Sequence, residues 1–386
     1  MWVLYIYHLQ YTTTMKALFN ALMILWISFI FNSCHKEENV SLGYQGRLRT
    51  YYIAVDEVEW DYSPSFPVNV LKGEPYDAHE NVFVENGPDR IGHIYKKALY
   101  REYTDNSFTT LKPRSPEWEH LGALGPIIRA AVGDTLQIIF KNNASLPYTI
   151  HPHGVLYNKD SEGASYDDGT SGNDKADDGV LPGQTHTHTW FVNETAGPGP
   201  SDPSSIVWLY HSHVNEPVDT YAGLIGTIII TAAEFADEEA KPTDVDTELV
   251  TLFHVYNENE SHYIDENIQT YATDPGSVIQ DDDFEESNLM HAINGYVFGD
   301  LKGLDTNMGD RVRWYVVGMG TEIDVHTPHW HGNTGLHLGS RTDILEIFPA
   351  SMEVFDMVAE NPGTWLYHCH VNDHIHAGMT AVYHVH

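Results

Sequence analysis

The sequence predicts an all-β protein built from two β-sandwich domains, and three observations carry that prediction. The chain has 386 residues, room for two domains of ordinary size. It reads as short runs rich in Val, Ile, Tyr and Thr, broken by Gly, Pro, Asp and Asn, with hardly any stretch of helical period. Its halves also repeat one another: WLYHSHVN at Trp208–Asn215 returns as WLYHCHVN at Trp365–Asn372, with the oxygen of Ser212 where the second copy carries the sulfur of Cys369.

The N-terminal segment comes first. Lys16 precedes the apolar run Ala17–Phe31, followed by Asn32-Ser33-Cys34 and a charged stretch. The run is too short to span a bilayer and suits the core of a signal peptide starting at Met15, so residues 1–34 are expected to direct export. A cysteine directly after such a core resembles the attachment site of a bacterial lipoprotein, which implies a periplasmic or cell-surface protein lipid-anchored at Cys34. Residues 35–48 read as a linker, 49–235 as the first domain and 246–386 as the second. The acidic, proline-containing Glu234–Thr247 joins them.

The repeat extends beyond the opening octamer. Val132-Gly-Asp-Thr-Leu-Gln-Ile-Ile-Phe140 answers Met308-Gly-Asp-Arg-Val-Arg-Trp-Tyr-Val316, and His151-Pro-His-Gly154 answers His329-Trp-His-Gly332. The first copy alone carries a Gly- and Asp-rich insertion, Asn158–Pro182, of a length usual for functional or disordered loops. Twenty Lys and Arg against 55 Asp and Glu give a net charge of −35, which argues against nucleic-acid binding and favours a field that attracts cations.

The histidines point to metal. His151/His153, His211/His213, His329/His331 and His368/His370 are spaced i, i+2, so in a strand each pair faces one side. Eight imidazoles suit borderline transition metals, with copper favoured by affinity and nitrogen ligation. A further pair, His186 and His188, has no counterpart in the other half and is expected on an exposed strand. Near Cys369 the second copy adds His326, His374 and Met379; two imidazoles, a thiolate and a distant thioether are the donor set of a blue-copper electron-transfer site. Alternation then turns Cys369 to one face of its strand and His368 and His370 to the other. In the first copy Tyr148, Ser212, Pro217 and Leu224 align with the four blue-site residues, so that half is expected to bind no blue copper.

These motifs resemble those of the multicopper oxidases over most of the chain after the N-terminal segment, and HAINGYVFGDLKGL (His291–Leu304), GMGTEIDVHTPHWHG (Gly318–Gly332) and HCHVNDHIHAGM (His368–Met379) resemble the ceruloplasmin branch in particular. The resemblance implies two cupredoxin-like Greek-key sandwiches and four copper ions. His151 and His329 would hold the type 2 ion; His153, His211 and His370, and His213, His331 and His368, the two type 3 ions. His326, Cys369, His374 and weakly Met379 would hold type 1. It further implies oxidation of iron(II) at Glu286, His291 and Asp373, coupled to reduction of O2 to water. A homotrimer would place the cluster at subunit interfaces, and calcium would bind the Lys159 backbone with Asp174, Asp177 and Asp178. Asp174 stands where that branch usually has a glutamine. The alternatives at this level are a laccase-like oxidase of phenols or copper(I), and a copper-buffering protein without turnover. A copper nitrite reductase would carry its blue site in the first domain, against the Ser212/Cys369 placement.

Overall fold

A computed structural model of the protein describes residues Tyr44–His386. The expected export segment and Cys34 lie outside the described residues. Among the described residues no helix is long and apolar enough to cross a membrane.

The first half contains β1 (Leu48–Asp61), a ribbon of β2 (Val68–Asn69) and β3 (Glu74–Pro75), then β4 (Ile94–Glu102), β5 (Ile128–Ala131) and β6 (Thr135–Asn142). It continues with β7 (His151–Pro152), β8 (Leu156–Tyr157), β9 (Thr185–Phe191), β10 (Ser205–His211) and β11 (Ile225–Thr231). One sheet has the order β4-β1-β6-β9-β8 and the other β5-β11-β10-β7. The second half contains β12 (Thr247–Asn257), β13 (Leu289–Ile293), β14 (Asp305–Thr306), β15 (Arg311–Gly318), β16 (Pro328–Trp330), β17 (Gly335–His337), β18 (Ser340–Thr342), β19 (Met352–Val358), β20 (Gly363–Cys369) and β21 (Thr380–Val385). Its sheets run β13-β12-β15-β19-β17-β18 and β14-β21-β20-β16. The repeat read in the sequence is therefore a repeat of pairing: β1 is parallel to β6 as β12 is to β15, and β10 is antiparallel to β11 as β20 is to β21.

Each half buries its own apolar core between its sheets, around Ile138, Phe140 and Trp190 in one and Trp314, Trp330 and Phe355 in the other. A third core, with Tyr62, Tyr95 and Leu209 from the first half and Val250, Tyr256 and Met290 from the second, joins the halves. Ion pairs cross the same boundary as well. Arg129 holds Glu248 with two bonds of 3.1 and 2.9 Å, and the fully buried Lys97 pairs with the fully buried Glu258. Such pairs fix how the halves meet more than they add stability, because desolvation offsets most of their attraction.

One expectation is corrected here. His186 and His188 do lie on a strand, β9, but His188 is completely buried, between His186 and Trp190, because alternation turns every second residue of β9 into the first core.

Candidate metal centres

Strand register gathers the paired histidines. His151 on β7 lies directly opposite His211 on β10, and His329 on β16 opposite His368 on β20. Since i and i+2 share a face, His153 and His213 complete one quartet and His331 and His370 the other. In the first, His153 Nε2 and His211 Nε2 stand 3.0 Å apart, and the His213 ring lies 5.2 Å from that of His151. In the second, His331 Nε2 is 3.1 Å and His329 Nδ1 3.3 Å from His368 Nε2, and the His370 ring is 5.5 Å from that of His329.

Backbone carbonyls orient these rings. His151 Nδ1 donates to Glu162 O at 2.6 Å, His211 Nδ1 to Ser212 O at 3.0 Å and His368 Nδ1 to Cys369 O at 2.7 Å, which leaves each Nε2 lone pair free for a metal. Burial pushes His153 down to about 4 and His211 down to about 3, so both are neutral donors at ordinary pH. Among the described residues, the ring contacts of each quartet stay within its own half of the chain, and His370 is exposed.

On the opposite face of β20, Cys369 is fully buried. Its Sγ is 3.6 Å from His374 Nδ1 and 3.9 Å from His326 Nδ1, and the two Nδ1 atoms are 3.1 Å apart. His374 comes from the helix Asn372–His376 that follows β20, and His326 from a bridge to Ile347 before β16. Met379 is buried at the end of the same turn; its carbonyl accepts from Cys369 N at 3.1 Å and its amide donates to His374 O at 2.9 Å. Burial raises the thiol pKa and lowers that of His374 to about 3, so without metal the pocket holds a neutral thiol and neutral imidazoles. One soft sulfur and two borderline nitrogens converging in a dry pocket fit copper, with deprotonation of the thiol coupled to binding.

The first half shows what replaces such a site. Thr149 N donates to Ser212 Oγ at 3.1 Å, as Thr327 N does to Cys369 Sγ at 3.4 Å, and Ser212 N bonds Leu224 O as Cys369 N bonds Met379 O. Pro217, aligned with His374 by sequence, is not the residue that faces Ser212. Asp219 is: its carboxylate accepts from Ser212 Oγ at 2.7 Å and meets His262 Nε2 at 3.0 Å, because the helix Glu216–Ala222 is longer than its counterpart. Tyr148, in the place of His326, shares a hydroxyl–hydroxyl bond of 3.0 Å with Tyr263.

Of the residues expected to take iron, His291 lies with its ring 5.1 Å from that of His374, inside the molecule, and burial pushes it down to about 4. Asp373 is exposed beside His374, and Glu286 is exposed on the helix Asp282–Ser287. The Asp-rich insertion is folded. Lys159 pairs with Glu162 and with Asp168 at 2.8 Å, Lys175 with Asp168 at 2.9 Å and Asp178 at 3.1 Å, while buried Asp177 accepts from Gly163 N at 2.7 Å. Asp174 sits in the turn Gly172–Lys175.

Two residues of the Cys369 site escaped the sequence reading. Asp324 lies behind His326 with its Oδ1 3.2 Å from His326 Nε2, and His254 packs next to it at 3.5 Å. Burial alone would raise the Asp324 pKa, yet bonds from His254, His326 and the Val255 amide outweigh it and hold the carboxyl below its ordinary value. Asp324-x-His326 has the same-face spacing used for the histidine pairs, so that signal was present; His254 arrives from a distant strand and had none.

Comparison with known proteins agrees with this geometry. Family models described as multicopper oxidase match residues 121–234 and 267–386. Ferroxidase HEPHL1 of Homo sapiens is 47% identical over 87% of this chain and 29% of its own length. Hephaestin of Rattus norvegicus is 44% identical over 94% and 31%, and ceruloplasmin of Homo sapiens 43% over 92% and 32%. The chain thus spans less than a third of the length of these relatives. Among solved structures, a multicopper oxidase superposes with a TM-score of 0.55 at 20% identity, covering 88% of this chain and 89% of that one. A copper nitrite reductase from Nitrosomonas europaea does so with 0.55 at 16%, covering 88% and 94%. Both likenesses concern the fold, which is that of two cupredoxin-like β-sandwiches. The two family matches fall on the two halves, each takes in one histidine quartet, and the second alone takes in the cysteine; the chain belongs to the multicopper oxidase family.

Proposed function

We propose that the protein is a ferroxidase-like multicopper oxidase, with residues 49–235 as the copper-cluster domain lacking a blue site and 246–386 as the domain bearing it. The observation that carries this reading is the convergence of Cys369 Sγ, His326 Nδ1 and His374 Nδ1 on one face of β20, while His368 and His370, on either side of Cys369, belong to a quartet on the other. Bound at these places, four copper ions would supply one-electron acceptance at Cys369 and four-electron reduction of O2 to water at the histidines. In this reading His326, Cys369, His374 and Met379 hold the blue copper, and His151 and His329 the type 2 ion. His153, His211 and His370, and His213, His331 and His368, hold the type 3 pair.

The chain's own residues provide the rest. The Cys369 backbone links the two faces, so an electron entering at the thiolate has a covalent path of one residue to His368 or His370. Each quartet is half of a cluster and lies partly open to solvent, which supports a homotrimer in which one chain's first quartet meets the next chain's second. Export and lipid attachment at Cys34 rest on the Lys16–Cys34 pattern alone. Calcium binding by the Lys159 carbonyl, Asp174, Asp177 and Asp178 is supported by the buried Asp177 Oδ1, which meets no protein donor. Chelation should then raise proteolysis of Asn158–Pro182, and an unchanged cleavage rate would remove calcium from the reading.

Iron(II) is the substrate we infer. His291 packs against His374, and Asp373 precedes it in the chain, so iron held there has a short path to the blue copper. Carboxylates from Glu286 and Asp373 would favour iron(III) over iron(II) and release the electron. The name of the ferroxidase relative supports the same substrate. Alanine at both Glu286 and Asp373 should lower iron(II) turnover about tenfold or more, at least ~1.4 kcal/mol of transition-state stabilisation, while sparing an organic donor. Equal losses for both donors would show that the acids support the copper site instead.

A further inference from the structure

We propose that Asp324 is the positioning residue of the blue-copper site: its carboxylate, buried behind His326, fixes the Nε2–H tautomer of that ring and leaves Nδ1 to face Cys369 and His374. The proposal rests on the copper reading above and adds a residue and a role to it.

The carboxylate is held in place by the chain before any metal arrives. Asp324 is fully buried; its Oδ1 accepts from Val255 N at 2.7 Å and its Oδ2 from Thr321 N at 2.9 Å. Gly320, at φ +123°, lets the turn close this tightly, since a Cβ there would come within 2.0 Å of Asp324 Oδ2. Into this fixed acceptor His326 directs Nε2 at 3.2 Å. A carboxylate only accepts, so Nε2 must carry the proton, and Nδ1 is then the lone pair that points at the thiol and at His374.

A second imidazole braces the carboxylate from behind. His254 Nδ1 donates to Met319 O at 2.8 Å and stands 3.5 Å from Asp324 Oδ1. Its ring is stacked on Tyr221 at 5.7 Å and 7°, and Tyr221 belongs to the helix Glu216–Ala222, which also supplies Asp219 to the copper-less site. The half that lacks a blue site thus presses on the prop of the half that has one.

A negative group on the far side of a ligand imidazole strengthens that ligand, and more for the oxidised ion, whose charge is higher. Asp324 should therefore hold the potential of the blue copper down. A role confined to stapling the turn through Thr321 and Val255 would leave tautomer and potential alone, and that separates the two.

The experiment uses the full chain in two states. In the copper-free wild type, imidazole 15N shifts are expected to report His326 as the Nε2–H tautomer; a predominant Nδ1–H tautomer overturns the proposal. In the copper-loaded D324N variant the charge is lost and the shape kept, so the blue band should remain while copper(II) binds about 10- to 100-fold more weakly. If that loss falls on the oxidised ion, the potential rises by about 60–120 mV, at 59 mV per tenfold for one electron. A folded D324N protein with the wild-type potential overturns the proposal. Should D324N fail to fold, the tautomer of the wild type decides. A wild type that takes up copper without a blue band would instead defeat the copper reading, and the tautomer, read without copper, would still judge Asp324.

Discussion

Ser212 and Cys369 occupy the same backbone position, each receiving a bond from the amide of a threonine, and the change of one atom separates two kinds of pocket. Oxygen in the first half recruits the Asp219 carboxylate, whereas sulfur in the second faces two free Nδ1 atoms. On the proposed reading, replacing Cys369 by serine should abolish the blue absorption and turnover while the histidine quartets still take up copper, because none of their eight imidazoles is touched. The blue absorption measured beside a copper count per chain would check this; a retained blue band would place the thiolate elsewhere. The candidate ligands of this site were legible in the sequence because their spacing is local: Cys369, His374 and Met379 lie on one strand and turn. The alignment pairs Pro217 with His374 and gives no sign of Asp219, because helix length, invisible to a position-by-position alignment, decides which side chain reaches Ser212.

Strands and turns set which histidines can change charge. On β9, His188 is fully buried and neither ring nitrogen meets a protein partner; burial pushes it down to about 3. In the unfolded chain it returns to about 6.5. Between those values the unfolded state binds the proton and the folded state does not, so stability is full above about pH 6.5 and declines as pH falls toward 3. Substituting His188 by leucine should remove about 2 kcal/mol of the stability that the copper-free protein loses between pH 7 and pH 5. Urea unfolding of both proteins at the two pH values measures this; equal losses would mean that His188 is protonated in the fold. The sequence placed His188 on a strand, and its isolation from the repeat suggested exposure. Which face of β9 is inward depends on the partner β6, a pairing the sequence does not state.

The whole molecule carries one histidine quartet on each of its two sandwiches, and in the proposed reading each is half of a cluster. A ring of three chains would unite them, and subunit mixing distinguishes that from any cluster within a chain. One variant carries alanine at His151 and His153, the other at His329 and His331; each alone should be inactive. Refolded together, they form mixed rings in which up to about one third of interfaces regain both intact quartets, with the second quartet beside an intact Cys369. Recovered oxygen consumption toward that fraction is expected, with a three-chain mass by light scattering. No recovery in mixed rings of that mass would place the cluster inside one chain.

The sequence by itself determined the all-β class, the duplication and the candidate metal donors, because period-2 spacing, turn residues and His-x-His pairs are local features that survive without coordinates. Only the tertiary structure decided what stands behind those donors. Asp324 is braced by His254 on β12 and by Tyr221 from the other half, and Ser212 is met by Asp219 and, through it, by His262 from the second half. These contacts join residues far apart in the chain, and no spacing rule records them: packing chooses the partner by shape and burial, after the strands have fixed only which way each side chain faces.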